Sequence, residues 1–452
     1  MVHLGSCEVA KVECAPPTRW CSSGIALNGA RLTNSLLYLT ADGLLEPLGF
    51  SQVVRVVEGL ARRGWPYRIF SLEKAADLER EARVRELRGR LEGQGVEWRF
   101  ARYSSEGSAT AAAQNEAALI NAATSSRGVS GIHARAYHSA VAAFARWVAD
   151  RTPYVFDARS YWFDERLEEG RWFTTPIRLA VARGVEHQLF AQAAGVVSLT
   201  ELQANDVRSG RFGPSRQRAV QCITTCADFD DFLRLQPTEC VRVPESVRHR
   251  LAGKRVLGVI GSVNRSYLVD ETLALVSAVL RRDSDAHLLI LSGQQDEYLR
   301  RLARARIDPD RVTLSRADHD AMPQWLSLID WGMLLLNPSS PAKRASMPTK
   351  LAEFLACGVR PIQFGCNVEV SEWVKRTGSG VVLPDVLPET IEATAERIVA
   401  SHDGSELTLR ARELAAPHFS LRSGLDKYEQ LLLASFGDLR SQRGSRTFRN
   451  QR

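Results

Sequence analysis

The segment that decides the fold begins with Ser35-Leu-Leu-Tyr-Leu-Thr40 and ends with Tyr67-Arg-Ile-Phe-Ser-Leu72. Short continuous apolar runs of this kind are typical of buried strands. Between them, a turn-rich stretch over 41–49 precedes a helical apolar pattern, for which Ser51 is the predicted N-cap and Gly64 the predicted stop. A strand, a helix and a second strand within about 40 residues form a βαβ unit, so the pattern predicts a parallel sheet.

The same alternation continues along the chain in two sets. The first set reaches residue 223, and the second extends from Arg255 to Phe364. We therefore expect an α/β fold with two Rossmann-like, doubly wound domains that face a cleft, where ligands bind at the carboxyl ends of the strands. The predicted boundaries are 1–31 for a disordered leader, 32–245 for the N-terminal domain, 255–416 for the C-terminal domain, 417–437 for a helix that returns to the first domain, and 438–452 for a basic disordered tail.

Composition and charge exclude several classes of protein. The chain has 452 residues, of which 44% are hydrophobic and 25% charged, as in ordinary globular proteins. Its formal net charge is +7, and five arginines lie in the last thirteen residues. No folded array of basic and aromatic residues is visible, so we expect no nucleic-acid partner. The tail is interpreted either as a solvated end or as a peripheral contact with anionic lipid.

Targeting signals and metal-binding patterns are not visible in the sequence. No apolar run approaches the roughly 20 residues that cross a bilayer, and the start lacks a secretory pattern, so we expect a cytoplasmic protein. The eight cysteines have no zinc-site spacing and are predicted to be free thiols. Neither GxGxxG followed by an acidic residue nor GxxxxGK[ST] occurs, which disfavours dinucleotide oxidoreductases and P-loop nucleotidases.

The stretch Lys343-Arg-Ala-Ser-Met-Pro-Thr-Lys-Leu-Ala-Glu-Phe-Leu-Ala-Cys-Gly-Val-Arg-Pro-Ile362 carries the strongest chemical signal. Pro348 is predicted at the first position of a helix, whose free N–H groups and positive dipole end suit a diphosphate. Lys343, Arg344 and Lys350 add positive charge beside that anion. Glu353 lies further inside the helix, where its carboxylate could accept hydrogen bonds from two ribose hydroxyls.

This stretch resembles the signature of the family 4 glycosyltransferases, which are retaining enzymes with the two-domain GT-B fold. It is most similar to the subgroup with the pattern P-x-K-x-x-E-[YF]-x-A-x-G-x-P-[VI]. The resemblance extends over residues 35–436, and its other matching segments are 42–52, 133–137, 156–166, 222–232 and 421–435.

The resemblance implies that 32–245 is the acceptor-side domain and that 255–416 binds the nucleotide sugar. It also implies roles for particular residues. Glu353 corresponds to the second glutamate of the E-x7-E motif, which binds the donor ribose, whereas Ala345 stands where the first glutamate is expected. The implied catalytic residues are His133, Lys350 and Glu353. The implied substrate-binding residues are Gly43, Gly49, Arg135, Asp157, Arg159, Asp164, Glu165, Arg265, Ser315, Arg316, Lys343, Arg344, Ser346, Met347, Thr349 and Leu351.

Several of these residues also have a purely structural interpretation. Gly43 and Gly49 either admit a donor phosphate or only shape a turn. His133 either faces the donor sugar or is a satisfied core histidine. The charged residues assigned to the acceptor side, which could equally form structural ion pairs, are Arg135, Asp157, Arg159, Asp164 and Glu165.

The implied activity is transfer of a sugar from a nucleoside diphosphate sugar to a hydroxyl acceptor with retention of anomeric configuration. The acceptor could be a glycan, a lipid-linked molecule or a small molecule, and no metal or other cofactor is expected. Two alternatives stay open at this point: a nucleotide-sugar epimerase on the same fold, and a nucleotide-sugar-binding protein that has lost turnover. The nucleotide base, the sugar, the acceptor and the oligomeric state are not indicated by the sequence.

Overall fold

The computed structural model describes residues 34–104, 108–168, 175–213, 219–337, 345–365, 367–401 and 405–440. The predicted leader, most of the predicted tail, and the two candidate site residues Lys343 and Arg344 lie outside these ranges. No helix of the described ranges is long and apolar enough to cross a membrane.

The first sheet has seven parallel strands in the order β3-β2-β1-β4-β5-β6-β7, and chain connections cross over at the β1–β4 pair. This is a doubly wound order, in which β1 and β4 mark the switch point where ligands of such sheets bind. Its strands are β1 Ser35–Leu39, β2 Tyr67–Glu73, β3 Glu97–Arg102, β4 Val129–Arg135, β5 Tyr154–Ala158, β6 Gly195–Ser198 and β7 Ala219–Cys222.

The second sheet has six parallel strands in the order β10-β9-β8-β11-β12-β13, so it repeats the same winding. Two such parallel sheets confirm the predicted pair of Rossmann-like domains. Its strands are β8 Arg255–Ile260, β9 Ala286–Leu291, β10 Val312–Ser315, β11 Trp331–Leu334, β12 Arg360–Phe364 and β13 Val381–Leu383.

Helices cover both faces of each sheet. In the first domain, helices α5, α6 and α8 pack their apolar residues against one face of the sheet, and α2, α4 and α18 pack theirs against the other face. In the second domain α11, α12 and α16 cover one face, and α13, α14, α15 and α17 the other. The helices are α1 Pro47–Gly49, α2 Arg55–Arg62, α3 Ala75–Leu78, α4 Glu81–Gly93, α5 Ala109–Ser125, α6 Ala136–Asp150, α7 Trp162–Glu168, α8 Pro176–Gln192, α9 Glu201–Arg208, α10 Glu245–Leu251, α11 Val269–Arg282, α12 Gln295–Arg304, α13 Met322–Leu326, α14 Thr349–Cys357, α15 Val368–Thr377, α16 Pro388–Ala400, α17 Ser405–Phe419 and α18 Leu421–Phe436.

Two predicted helix starts are wrong. Helical structure begins at Pro47 rather than after Ser51, and it continues through a π-helical turn over Phe50–Val54 into α2. Ser51 therefore lies inside the helix, where its hydroxyl donates to the Leu48 carbonyl (3.3 Å). Pro348 is the N-cap of α14 and not its first residue, since its backbone is extended at φ −64° and ψ 128°.

The last helix, α18, completes the core of the first domain although it follows the whole second domain in sequence. Leu425 packs over Gly59 of α2, where an added Cβ would lie 2.4 Å from a Leu425 methyl carbon. Leu431 similarly covers Gly195 of β6. Apolar residues of α18 thus fill the place over the first sheet that a local crossover helix would otherwise take.

Candidate functional site

The N-terminus of α14 meets the loop that follows β8. The Lys350 ammonium lies 4.2 Å from the centroid of the Tyr267 ring, which is a cation–π contact. Gly261 has φ 110°, and a Cβ there would come within 2.9 Å of the Lys350 nitrogen. Glycine at position 261 therefore allows both the positive φ angle of the backbone and the close approach of the Lys350 ammonium.

Glu353 lies one turn after Lys350 on α14. Its side chain is half-buried, and no hydrogen bond from the described residues contributes to the pKa of its carboxyl group. Burial raises the pKa of Glu353 from its ordinary 4.5 to about 7, although the nearby Lys350 ammonium acts to lower it. A ligand that donates hydrogen bonds to the half-buried Glu353 would stabilise its ionised form.

The remaining residues of this stretch contribute mainly backbone. Met347 and Leu351 are buried in the core of the second domain, so their side chains do not face a ligand. The Ser346 carbonyl accepts a hydrogen bond from the Asn367 amide, and Thr349 is half-buried at the first position of α14. Gly358 ends the helix in the left-handed conformation, at φ 71°.

The carboxyl ends of β8, β9 and β10 form one edge beside α14. The Gly261 amide donates to Leu291, and the Ser292 amide donates to Ser315. Arg265 is exposed in the loop after β8, and Arg316 is exposed and donates to the Gly293 carbonyl (2.9 Å). The structure thus brings Arg265, Ser315, Arg316, Lys350 and Glu353 to the same end of the second sheet.

This end of the second domain contacts the first domain. The Thr225 hydroxyl lies 3.4 Å from the Pro348 carbonyl. The Glu369 carboxylate accepts from the Glu201 and Leu202 amides at the start of α9 (3.3 and 3.5 Å). Because these residues are far apart in sequence and in different domains, no local pattern predicted the contacts.

The burial of Ala345 explains why the chain departs from the E-x7-E pattern at this position. It is fully buried and belongs to the apolar cluster that fills one face of the first sheet. A glutamate here would place a carboxylate among apolar side chains, at a cost of several kcal/mol unless it were paired.

Gly43 and Gly49 hold the shape of the loop after β1. A Cβ on Gly49 would lie 2.0 Å from the Gly43 carbonyl oxygen. The loop amides of Leu44 and Leu45 donate to the buried Glu73 carboxylate (2.7 and 3.3 Å). This supports the turn-shaping interpretation of both glycines, and it identifies Glu73 as a loop-holding residue that the sequence analysis missed.

A buried polar cluster lies at the carboxyl ends of β1, β4 and β5. His133 is fully buried between the rings of Tyr38 and Tyr428, with ring centroids 4.3 and 5.4 Å away. Its Nδ1 lies 3.2 Å from the Tyr67 hydroxyl. Burial lowers the pKa of His133 below its ordinary value, so the ring is neutral at pH 7. His133 has no surface open to the cleft, and its catalytic role stays a prediction.

Asp157 is the anion at the centre of this cluster. Its Oδ2 accepts from Arg159 (2.8 Å) and lies 3.8 Å from the Arg135 guanidinium, which in turn donates to Asp42 (2.7 Å). Burial would raise the pKa of Asp157, but Arg159, Arg135 and the His133 ring, whose Nε2 lies 3.6 Å from Oδ2, outweigh it and lower the pKa to about 2. The predicted acceptor-side residues Arg135, Asp157 and Arg159 thus do lie together.

Asp164 and Glu165 are not part of this cluster. Asp164 pairs with Arg183 and Arg211, the latter at 2.8 Å, and Glu165 accepts from the Ser160 hydroxyl (3.3 Å). The ion pairs tie α7 to α8 and to the turn after α9. For Asp164 the structural interpretation therefore has direct support.

The four cysteines of the described ranges that lie after β6 are free and buried. Burial raises the pKa of Cys226 to about 11, so this thiol is protonated at pH 7. The set is Cys222, Cys226, Cys240 and Cys357.

The architecture matches that of GT-B proteins of known structure. HepE from Anabaena, in complex with UDP and glucose, superimposes with a TM-score of 0.63 at 14% identity, covering 88% of this chain and 99% of that one. Sucrose-phosphate synthase from Thermosynechococcus elongatus gives a TM-score of 0.61 at 14% identity, covering 88% and 98%. A UDP-N-acetylglucosamine 2-epimerase gives 0.58 at 8% identity, covering 89% and 96%. The chain therefore has the GT-B fold.

The sequence comparison finds a matching family model for part of the first domain. Residues 51–222 match the family model described as glycosyl transferase 4-like domain. No curated protein matches the sequence significantly. Residues 51–222 thus resemble the glycosyl transferase 4-like domain, which confirms the predicted resemblance to the family 4 glycosyltransferases. The match to the P-x-K-x-x-E subgroup stays a prediction.

Proposed function

We propose that this protein is a retaining glycosyltransferase that moves a sugar from a nucleoside diphosphate sugar to a hydroxyl acceptor. The observation that carries the proposal is the group of residues at the start of α14: the Lys350 ammonium, the half-buried Glu353 carboxylate and the exposed Arg265 share one sheet end. Cations beside a helix N-terminus suit a diphosphate, and a carboxylate one turn further suits a ribose.

In this mechanism the second domain holds the donor. Lys350, Arg265 and the amides at the start of α14 bind the diphosphate, where negative charge grows as the bond between the anomeric carbon and the phosphate oxygen breaks. Fixed positive groups at that position stabilise the transition state more than the ground state. Glu353 accepts hydrogen bonds from the ribose hydroxyls. Lys343 and Arg344 are proposed to add positive charge, as the family resemblance implies.

The acceptor is proposed to approach from the first domain. Its hydroxyl oxygen forms the new bond to the anomeric carbon on the face that the phosphate leaves, and its proton passes to the departing phosphate oxygen. The proposal therefore needs neither a metal nor a protein carboxylate as base. Arg135, Asp157 and Arg159 lie at the corresponding edge of the first sheet and are proposed to bind the acceptor.

The donor-binding step can be tested through Glu353. Because its pKa is about 7, the fraction of ionised carboxylate rises roughly tenfold between pH 6 and pH 8. Affinity for an intact nucleotide sugar should rise by a similar factor over this range. Glu353→Gln should lose this pH dependence and bind about 10- to 100-fold more weakly at pH 8. Glu413→Gln, which removes an exposed carboxylate of α17, is the matched control.

The measurement is calorimetry with the nucleotide sugar that best raises the melting temperature in a panel, beginning with UDP-glucose because HepE binds it. Unchanged affinity of Glu353→Gln at pH 8 would remove Glu353 from the donor site.

A nucleotide-sugar epimerase is the second candidate, because an epimerase shares this fold. Incubation with labelled donor and a panel of p-nitrophenyl glycosides separates the possibilities. Transfer of label to a glycoside supports the proposal, and retention is read from the anomeric proton coupling of the product. An isomerised donor supports the epimerase, and binding without turnover supports a protein that has lost activity.

A further inference from the structure

The buried polar cluster of the first domain includes one residue from the far end of the chain. Tyr428 of α18 is fully buried. Its hydroxyl accepts a hydrogen bond from Arg159 (2.6 Å) and donates one to Asp157 Oδ2 (3.3 Å). It is separated from Asp157 by 271 positions in sequence. Neither the family resemblance nor the sequence pattern assigned it a role.

The close apolar contacts that dock α18 do not involve this hydroxyl. Leu425 and Leu431 pack closely over Gly59 and Gly195, and apolar burial is the main stabilising term for such a helix. A phenylalanine at 428 would fill the same space. The hydroxyl therefore does something that packing alone does not require.

The hydroxyl contacts a guanidinium that has buried donors to spare. Arg159 uses one nitrogen, Nη2, for both Asp157 and Tyr428. Its Nε and Nη1, together with Nη1 of Arg135, are buried without a hydrogen-bond partner among the described residues. Buried donors without partners are rare in proteins and call for an explanation such as a ligand or a bound water.

We propose that Tyr428 is a positioning residue for the acceptor site. By bridging Arg159 and Asp157 it holds the remaining N–H groups of Arg159 toward the edge of the sheet, where they bind oxygen atoms of the acceptor. This inference rests on the proposed glycosyl transfer, which it deepens by adding a residue that determines acceptor binding.

The test compares Tyr428→Phe with a matched control, Tyr154→Phe. Tyr154 is also fully buried, and its hydroxyl donates to the Leu189 carbonyl (2.7 Å). It lies on the same strand as Asp157, at the opposite end from the cleft. Each variant thus loses one buried tyrosine hydroxyl, and the thermal midpoints of both report the purely structural cost.

Initial rates are measured with the nucleotide sugar and the p-nitrophenyl glycoside selected in the panel. For Tyr428→Phe we expect KM for the glycoside to rise about tenfold or more, since hydrogen bonds to charged groups are among the stronger ones. KM for the nucleotide sugar should change less than about twofold. Tyr154→Phe should leave both KM values at the wild-type level.

The outcomes separate the two proposals. Equal kinetics of Tyr428→Phe and Tyr154→Phe, or a change in the nucleotide-sugar KM alone, would overturn the role of Tyr428 while leaving glycosyl transfer intact. A wild-type protein that binds the donor but transfers no sugar to any glycoside would overturn the proposed function, and the role of Tyr428 with it.

Discussion

Replacing Glu353 by glutamine should stabilise the ligand-free protein, and only at neutral to alkaline pH. This carboxyl is half-buried, and burial outweighs the nearby Lys350 ammonium and raises its pKa from 4.5 to about 7. Between pH 4.5 and about pH 7, Glu353 therefore binds its proton more tightly in the folded protein than in the unfolded chain. Stability of the wild type therefore falls as pH rises through this window, and the ionised form is the costly one above pH 7.

The size of the effect follows from the shift in pKa. Each tenfold change in proton affinity corresponds to about 1.4 kcal/mol, so a change from 4.5 to about 7 amounts to about 3 kcal/mol. Water reaches the half-buried side chain and reduces this to about 2–3 kcal/mol. For a domain of this size we expect the melting temperature to rise by roughly 5–10 °C at pH 8.

The assay is thermal unfolding of the wild type, Glu353→Gln and the exposed control Glu413→Gln at pH 5 and pH 8. The gain from Glu353→Gln should be small at pH 5 and large at pH 8, whereas Glu413→Gln should show little change at either pH. A gain of equal size at both pH values would refute the argument from burial. So would an equal gain from Glu413→Gln.

Three further changes have defined outcomes. Gly49→Ala should destabilise the protein by about 1–3 kcal/mol in denaturant unfolding, because its Cβ would lie 2.0 Å from a carbonyl oxygen. The control Gly184→Ala, in the open middle of α8, should instead stabilise the protein by roughly 0.5–1 kcal/mol. Equal effects of the two substitutions would contradict this prediction. Transfer activity should survive excess EDTA because Lys350 and Arg265 stabilise the diphosphate, and loss of activity that magnesium or manganese restores would contradict it. Deleting residues 438–452 should reduce sedimentation with anionic vesicles at low salt while turnover on a soluble acceptor is kept, and equal sedimentation of both forms would mark the tail as a solvated end.

The sequence predicted most strands because they are short segments rich in apolar residues, either nearly continuous as in Ser35–Leu39 or alternating as in Glu97–Arg102. All seven described strands of the first sheet and five of the six in the second lie in such segments. The missed strand, Val381–Leu383, has only three residues and therefore no measurable pattern. Helix Ala109–Ser125 was also missed, because it is rich in alanine and buries only Leu119, Ala122 and Ala123. Helices α15, α16 and α17 were likewise not predicted.

The site was predictable where the signal is local. Pro348 and Gly358 mark the two ends of α14, so Lys350 and Glu353 could be placed on one helix next to a cleft. Contacts between distant segments could not be read in this way. Tyr428 reaches Asp157 across 271 positions, and Glu369 reaches Glu201 across 168. Such pairs are set by how the completed domains pack, which no spacing of residues along the chain reveals.

The place of α18 has a consequence for how the protein is made. The first sheet is complete once Cys222 has been synthesised, yet the face that Leu425 and Leu431 cover stays open until α18 follows. At typical rates of about 5–20 residues per second, the intervening stretch of about 200 residues takes roughly 10–40 s to translate. During that interval the ribosome carries an N-terminal domain with an exposed apolar face. The second domain can meanwhile fold from contiguous sequence, so during synthesis the N-terminal domain is the one completed last.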